Sequence, residues 1–464
     1  MFIGRIEEQK MLERFYNSNR FEFLVLYGRR RIGKTFLLRH FFRNRDCIFF
    51  SAMEKNDTLN RKNFTSTLKA YFNEPFLATF ENWQQAFDYM ESKAEDRKLC
   101  LIIDEFPYII KENPSVKSTL QHKIDLSWID SNLKLILCGS NMNVMETEVL
   151  GYESPLYGRS TMQWELKEFD YLTASEFFPN YSNKDKLIAY GILGGIPRYL
   201  AEFDPNVSLK DNIRDRILTP GSFLYEEPKS FLKMILRQTS LYNSILEVIS
   251  RGENRINEIA SAVQVQATSI NKYIGILQTL RLITRTAPCT EAQNGKKGIY
   301  SISDNFFRFW YRYLSANNNH YDLIGPDKAT EEIMDNINDY MGPAFENIAM
   351  QYLKREARKG RLPFVPYYAG RWWGTNKKLK AQDDIDVLIM DKDRKNGLFA
   401  ECKFKNSKFT SKDLDDILDS FAIFPSIQNH LIYVFSISGW TEEVKERASS
   451  YNARLITLDD LFRK

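Results

Sequence analysis

The sequence has few of the residues that bind zinc or form disulfide pairs. Its five cysteines are scattered without a CxxC pair, and its four histidines are equally dispersed, so no zinc site is readable. No segment approaches the roughly 18 consecutive apolar residues of a membrane span. The amino terminus carries acidic residues and lacks the apolar stretch of a signal peptide. We therefore expect a soluble, reduced, cytoplasmic protein without a membrane partner.

A large surplus of either charge sign is also missing. The formal net charge is +4 over 464 residues, which permits a local basic surface for nucleic acid but does not indicate one. Hydrophobic residues make up 43% and charged residues 27%, as in ordinary globular proteins. A chain of this length is too long for one hydrophobic core and should form several domains.

The first third of the chain alternates short apolar runs with amphipathic stretches. The runs are continuously apolar, which is typical of strands buried on both faces of a parallel sheet. This pattern predicts an α/β fold with helices on both faces of the sheet. The predicted strands are residues 23–27, 48–51, 99–103, 133–138 and 162–166.

A phosphate-binding loop follows the first predicted strand. Residues 28–35, GRRRIGKT, match the pattern GxxxxGK[ST] in full, between an apolar strand and a helix. Gly28 and Gly33 let backbone N–H groups surround a phosphate, and the helix N-terminus adds partial positive charge. Lys34 reaches the β- and γ-phosphates, and Thr35 supplies a hydroxyl to Mg²⁺. The motif predicts that ATP and Mg²⁺ bind here.

Polar residues that end later strands complete the predicted ATPase site. Asp104 lies near the magnesium shell, and Glu105 orients the attacking water. Asn141 is a candidate sensor of the γ-phosphate, or else it caps a turn. Arg159 is a candidate for stabilising charge on the γ-phosphate, or else a surface residue.

These motifs resemble those of STAND-class P-loop ATPases of the archaeal-type and bacterial AAA-like branch. FIGRIEE resembles the hhGRxxE motif, and GGIP resembles the GxP motif of a helical lid; the likeness covers roughly the first 200 residues. The resemblance implies that Gly4 and Arg5 lie near the adenine and that Pro197 closes over the nucleotide. It also implies slow, switch-like turnover. Candidate partners are the nucleotide, DNA or RNA, and further copies of the chain in a nucleotide-dependent homo-oligomer.

The same resemblance implies a winged helix and a restriction-endonuclease-like α/β domain after the ATPase. Locally, two helical patterns at residues 256–263 and 268–280 precede a basic hairpin, the layout of a winged helix-turn-helix. This element either reads DNA or transmits the switch. The expected domains are a P-loop core at 1–167, a helical lid at 168–238, a winged helix at 239–305, an aromatic helix with a linker at 306–339, and a nuclease-like domain at 340–464.

The C-terminal domain carries the D…ExK pattern of PD-(D/E)XK nucleases. Asp386 lies on one predicted strand, and Glu401 and Lys403 share a face of the next. Two carboxylates, Asp386 and Glu401, would hold Mg²⁺, while Lys403 would orient water or offset charge on the phosphate. Glu346 occupies the place of the helical acidic residue of such sites. Lysines crowd the flanks, as in a phosphate-tracking groove or a solvated basic face: Lys377, Lys378, Lys380, Lys405, Lys408 and Lys412.

Two hypotheses account for the whole pattern. The first is a slowly hydrolysing ATP switch that controls a C-terminal nuclease acting on nucleic acid. The alternative is a non-cutting, ATP-dependent regulator that binds DNA or a partner with an inactive nuclease fold. In the alternative, the acid–x–Lys pattern is only a salt bridge on a strand face.

Overall fold

The computed structural model describes residues 2–94, 98–292, 295, 297–376 and 380–463, so Lys377 and Lys378 lie outside the described residues. The chain divides into two compact units, Met1–Glu168 and Phe169–Lys464. No helix in the described part of the chain is both long and apolar enough to cross a membrane.

The first unit is built on a five-stranded, fully parallel sheet with the order β2-β3-β4-β1-β5. This confirms the predicted parallel α/β core. The order places β4 between β1 and β3, so the carboxyl ends of these three strands are neighbours at one edge of the sheet. The strands are β1 (Glu22–Tyr27), β2 (Cys47–Ser51), β3 (Cys100–Asp104), β4 (Lys134–Gly139) and β5 (Met162–Glu165).

Helices connect these strands and cover the sheet. One core joins alternate residues of the strands with large aromatic side chains such as Phe64, Phe87 and Trp128, all of which are buried. Burial of this apolar surface is the main stabilising contribution to the unit. The helices are α1 (Ile6–Asn17), α2 (Lys34–Phe41), α3 (Asp57–Phe72), α4 (Trp83–Ala94), α5 (Pro107–Glu112), α6 (Val116–Leu126) and α7 (Met142–Val144), which a π-helical turn (Met145–Val149) continues.

The second unit begins with eight α-helices, a π-helical segment (Ile213–Leu218) and a short hairpin. Two of the helices and the antiparallel hairpin β6–β7 follow the predicted order of helix, helix and hairpin. The helices are α8 (Tyr171–Ser175), α9 (Asn183–Leu193), α10 (Pro197–Leu200), α11 (Leu209–Asn212), α12 (Phe223–Ile235), α13 (Ser240–Ser250), α14 (Ile256–Ala262) and α15 (Ala267–Thr279), and the hairpin strands are β6 (Ile283–Thr286) and β7 (Ile299–Ile302).

The polar stretch predicted as a linker is instead helical. After α16 (Asn305–Trp310), helix α17 spans Ala316–Asp335 and α18 spans Ile337–Arg358. Gly325 leaves helical geometry at φ 78°, and Pro326 follows it, so α17 is kinked there. Ala329 and Ile333, beyond the kink, are fully buried. The glycine, the proline and the polar side chains concealed this short buried stripe in the sequence.

A second five-stranded sheet closes the chain, with the order β12-β11-β10-β9-β8. β8, β9 and β10 are antiparallel neighbours, whereas β10, β11 and β12 are parallel. The strands are β8 (Tyr368–Asn376), β9 (Ala381–Met390), β10 (Asn396–Lys403), β11 (Asn429–Ser436) and β12 (Ala453–Ile456), and the helices are α19 (Ser411–Ser420), α20 (Glu442–Ser450) and α21 (Leu458–Phe462).

Candidate functional site

The predicted phosphate loop has a backbone that only glycine adopts readily at its first position. Gly28 has φ +152°, and a Cβ atom there would lie 2.5 Å from the carbonyl oxygen of Leu166. Gly33, which immediately precedes α2, has φ 90°. The two glycines therefore let the chain turn sharply from β1 into α2, with the N-terminus of the helix at the loop.

Lys34 is folded against this loop. Its side chain is buried, and Nζ donates hydrogen bonds to the carbonyl oxygens of Gly28 at 2.7 Å and Arg29 at 3.1 Å. Burial lowers the pKa of the ammonium group below its ordinary value. A buried cation that is hydrogen-bonded to neutral loop carbonyls is well suited to receive a phosphate.

Thr35 and Asp104 are in direct contact at the edge where β3 ends. The Thr35 hydroxyl donates a 2.7 Å hydrogen bond to Oδ2 of Asp104, and Asp104 is only 2% exposed. Mg²⁺ prefers oxygen ligands and is usually held by one or two carboxylates together with substrate phosphates. A hydroxyl and a carboxylate side by side at a phosphate loop therefore fit Mg²⁺.

Glu105 is held by the neighbouring strand β4. Ser140, the residue after β4, donates to Oε2 of Glu105 from its hydroxyl at 2.9 Å and from its backbone N–H at 3.3 Å. Glu105 has φ 53°, an unusual conformation for a residue with a side chain. Strand order explains the contact, because β4 lies between β1 and β3. Sequence reasoning assigned no such contact to Ser140.

Asn141 serves as a helix cap in the structure. Its side-chain oxygen accepts a hydrogen bond from the backbone N–H of Val144 at 3.2 Å, at the start of α7. This is the turn-capping role that the sequence left open. The polar side chain that contacts the acidic pair is therefore Ser140 rather than Asn141.

The structure does not bring Arg159 to this cluster. Arg159 binds Asp125 with two hydrogen bonds of 2.8 and 2.7 Å. It precedes β5, which runs parallel to β1 from the pair Leu24↔Met162, whereas the phosphate loop follows the opposite, carboxyl end of β1. Within one chain, Arg159 and the loop thus lie at opposite edges of the sheet, which corrects the expectation of a γ-phosphate contact.

The amino-terminal motif is tied to the loop by Arg5. This buried side chain donates to the carbonyl oxygens of Ile32 at 2.9 Å and Lys167 at 2.7 Å, and it pairs with Glu8 at 3.1 Å. Gly4 and Arg5 both have positive φ, 64° and 59°. Arg5 therefore fixes the position of the segment beside the phosphate loop. A role near the adenine stays a prediction.

Pro197, the predicted lid residue, belongs to the second unit. It is the first residue of α10, a position where proline costs little because its N–H would have no helical partner. The preceding Gly195 packs closely against the backbone of Phe169: its carbonyl oxygen accepts the Phe169 N–H at 2.8 Å, and a Cβ at Gly195 would collide with the Phe169 backbone. Closure over a nucleotide stays a prediction.

The acidic residues of the C-terminal sheet gather where β9 and β10 separate. The β9–β10 ladder runs from Gly397↔Met390 to Ala400↔Val387. At the next position, Oδ2 of Asp386 accepts the backbone N–H of Cys402 at 2.9 Å. On its other side, β9 shifts register against β8 between Gly370 and Trp372. Such bulges re-aim side chains and are frequent beside active sites.

Burial and mutual repulsion characterise this cluster. The pKa values of Glu346, Asp386 and Glu401 are all raised, first because burial penalises the charged carboxylate. Neighbouring carboxylates add to each shift: Asp386 raises the pKa of both Glu346 and Glu401, and Asp384 raises all three. The carboxylates are therefore short of positive charge.

The two strand residues of the ExK pattern both reach the side of helix α19. Glu401 lines an open cavity of about 260 Å³ together with Asp416 and Asp419 of α19. Lys403 donates a 2.7 Å hydrogen bond to Asp413 of the same helix. The lysine is thus engaged in an ion pair rather than directed at the other carboxylates.

Arg371 of β8 is a cation that sequence reasoning missed. Its Nη2 donates to Asp384 at 2.5 Å, and its Nη1 lies 3.6 Å from Glu346 of α18. The sequence contains no signal for this contact. Arg371 lies in RWWG, which is not part of a known motif, and the register of β8 against β9 shifts between Gly370 and Trp372.

A divalent cation fits only part of this cluster. Among the residues that the structure describes, no group of three or more His, Cys, Asp or Glu is arranged to hold a metal ion. Asp386 and Glu401, on adjacent strands, remain a two-carboxylate set. Mg²⁺ commonly binds to one or two carboxylates and keeps several waters. The residues present therefore fit Mg²⁺ with water completing its shell.

Comparison with known proteins places the chain in a family. Residues 2–203 match the ATPase domain found predominantly in Archaea. An uncharacterized protein of Methanocaldococcus jannaschii, MJECL04, is 34% identical over 412 residues, which is 88% of each chain. The chain belongs to the archaeal-type P-loop ATPase family. Within this ATPase-family chain, residues 310–416 match archaeal and bacterial proteins of unknown function, and that range contains Glu346, Arg371, Asp386, Glu401 and Lys403.

Two further proteins resemble parts of the ATPase. An uncharacterized ATP-binding protein of Methanocaldococcus jannaschii, MJ0423, is 49% identical over 45 residues, which is 10% of this chain and 76% of that protein. The Walker-type ATPase PABY2304 of Pyrococcus abyssi shares 21% identity and has a TM-score of 0.51, over 67% of this chain and 96% of that chain. This second likeness supports the fold.

Proposed function

We propose that the first unit binds ATP with Mg²⁺ and hydrolyses it slowly, as a molecular switch. The observation that carries the proposal is the 2.7 Å contact between Thr35 and Asp104 at the phosphate loop, with Glu105 held next to it. The match to the archaeal ATPase domain supports the nucleotide. The motifs that resemble STAND-class ATPases support slow turnover and a lid that contains Pro197.

Each polar group has a separate task in this proposal. Lys34 exchanges its loop carbonyls for phosphate oxygens and neutralises part of their charge. Mg²⁺, held through Thr35 and Asp104, neutralises charge on the phosphates when it is bound. Glu105 accepts a hydrogen bond from the attacking water and orients it, while Ser140 restrains the carboxylate. These are positioning and electrostatic contributions, which dominate phosphoryl transfer.

ATP binding and hydrolysis by the full chain test this proposal. Lys34→Ala should abolish both, because its buried ammonium donates to the loop carbonyls of Gly28 and Arg29, which phosphate oxygens would replace. Lys111→Ala is a matched control, since Lys111 is exposed and forms a 3.2 Å ion pair with Glu54. Hydrolysis that survives Lys34→Ala unchanged would reject the site.

For the second unit, the favoured function is metal-dependent cleavage of nucleic acid under control of the switch. The supporting observation is that Asp386 leaves the β9–β10 ladder beside Glu401, at a cavity of about 260 Å³. Such a site would suit a phosphodiester, with Lys403 offsetting charge after release from Asp413. The α14–α15 pair and the β6–β7 hairpin are proposed to form a winged helix that transmits the switch.

The alternative is a regulator that binds DNA or a partner without cutting. The ion pair between Lys403 and Asp413 favours it, because a lysine committed to another carboxylate is a poor catalyst. In this version the helix pair and hairpin read DNA. Binding should then fall steeply with salt, by about 0.9 log units per log unit of salt for each phosphate neutralised.

A cleavage assay with Mg²⁺ or Mn²⁺ on DNA and RNA separates the two functions. Glu401→Ala should abolish cleavage, whereas Glu446→Ala, an exposed residue of α20, should leave it unchanged. Absence of cleavage under every nucleotide, with salt-sensitive binding that survives Lys403→Ala, would establish the regulator instead.

A further inference from the structure

Arg371 of β8 contacts β9, α18 and the segment that follows β6. Its side chain contacts Asp384 of β9 at 2.5 Å and Glu346 of α18 at 3.6 Å. Its carbonyl oxygen accepts the backbone N–H of Cys289 at 3.0 Å, in the segment that follows β6. The residue therefore has a fixed backbone and a guanidinium placed between two carboxylates of different elements.

The position of Arg371 in the sheet explains this arrangement. Gly370 pairs with Leu388 and Trp372 with Ile385, so Arg371 alone faces the two residues Asp386 and Val387 of the bulge. The bulge that displaces Asp386 thus lies opposite Arg371. The cation at this point lowers the pKa of both Glu346 and Asp386, against the increase that burial causes.

The charged groups of the cluster fall into two sets. Arg371 pairs with Glu346 and Asp384, and Lys403 pairs with Asp413. Asp386 and Glu401 form no ion pair with any lysine or arginine in the part of the chain that the structure describes. Glu346, Asp384 and Asp413 each have a cationic side chain as a partner. Asp386 and Glu401 have no such partner among the described residues, so an added cation would have to balance their charge.

We propose that Arg371 is a positioning residue that takes the place of a second metal ion. It holds Glu346 and Asp384, and so leaves Asp386 and Glu401 to a single divalent cation. This inference rests on the proposed cation site of the C-terminal domain. It follows that neutralising Arg371 frees two carboxylates, which then bind an additional cation.

The test is Mn²⁺ binding to the full chain without nucleotide, measured by calorimetry and by electron paramagnetic resonance. Arg371→Met should bind one more ion per chain than the wild type, and Arg371→Lys, which keeps the charge, should restore the wild-type number. Arg447→Met is the matched control, because Arg447 also forms a 2.5 Å ion pair, with Asp415, a residue that does not line the cavity. If Arg371 had only a structural role, its replacement would not increase the number of bound Mn²⁺ ions.

Equal stoichiometry and affinity in wild type and Arg371→Met would overturn the inference, as would complete loss of binding in Arg371→Met. If Arg371→Met does not fold, the exposed Asp384→Asn tests the same division: Mn²⁺ binding should persist there and disappear in Asp386→Asn. Loss in Asp384→Asn would overturn the inference. A wild type that binds no ion at this site, with an Arg371→Met variant that binds one, would reject the proposed cation chemistry and support the role of Arg371.

Discussion

Replacing Thr35 by valine tests the contact on which the ATPase proposal rests. Valine keeps the shape of threonine but removes the hydroxyl that lies 2.7 Å from Oδ2 of Asp104. A hydrogen bond to a charged group contributes about 1.5–3 kcal/mol. If the same hydroxyl serves Mg²⁺ when ATP is bound, Mg-ATP affinity should fall by roughly 10- to 150-fold.

The loss should depend on the metal. ATP affinity measured in EDTA should stay within about twofold of wild type, because the loop amides and Lys34 contact the phosphates without the metal. Fluorescence titration with a labelled ATP analogue, with and without Mg²⁺, measures both values. Thr35→Ser, which keeps a hydroxyl, should recover most of the affinity. Thr67→Val is the control, since that hydroxyl donates only to the Asn63 carbonyl oxygen at 3.1 Å. Equal losses with and without Mg²⁺ would refute the reasoning.

Three further substitutions probe the same unit. Gly28→Ala should destabilise the unit by about 1–3 kcal/mol in thermal unfolding, because its Cβ would meet the Leu166 carbonyl oxygen at 2.5 Å; an unchanged melting temperature would contradict this. Ser140→Ala should slow ATP turnover by about tenfold with little change in affinity, since Glu105 loses one charge-assisted hydrogen bond of 2.9 Å; unchanged turnover would show that Ser140 does not position Glu105. Arg159→Ala should leave turnover of the monomeric chain within about twofold, and a large loss there would restore the role that the sequence suggested.

The parts that the sequence predicted well are those in which neighbouring residues are also neighbours in space. The strands of the first sheet are continuous apolar runs, and the phosphate loop is one uninterrupted motif, so both could be located from local pattern alone. The contact between Thr35 and Asp104, 69 positions apart, was also predictable. The phosphate loop and the acidic pair each follow a strand, and the carboxyl ends of parallel strands meet at one edge of a sheet.

The parts that were missed depend on tertiary arrangement. Arg159 lies at the edge opposite the loop because it precedes β5, which is parallel to β1. The predicted parallel sheet already implied this position, but a lone arginine carries no local signal that excludes it from the site. Ser140 rather than Asn141 contacts Glu105 because of the geometry at the end of β4. Arg371 enters the acidic cluster only through the register of β8 against the bulge in β9. Helix α17 was hidden because Gly325 interrupts its periodicity.

The most direct test of the central claim is Mg²⁺-dependent ATP hydrolysis by the purified full chain, with Lys34→Ala measured alongside. The proposed function predicts slow hydrolysis in the wild type, none in Lys34→Ala, and none for either protein in EDTA. A wild type that neither binds nor hydrolyses ATP, or a Lys34→Ala variant that hydrolyses it as the wild type does, would contradict the account.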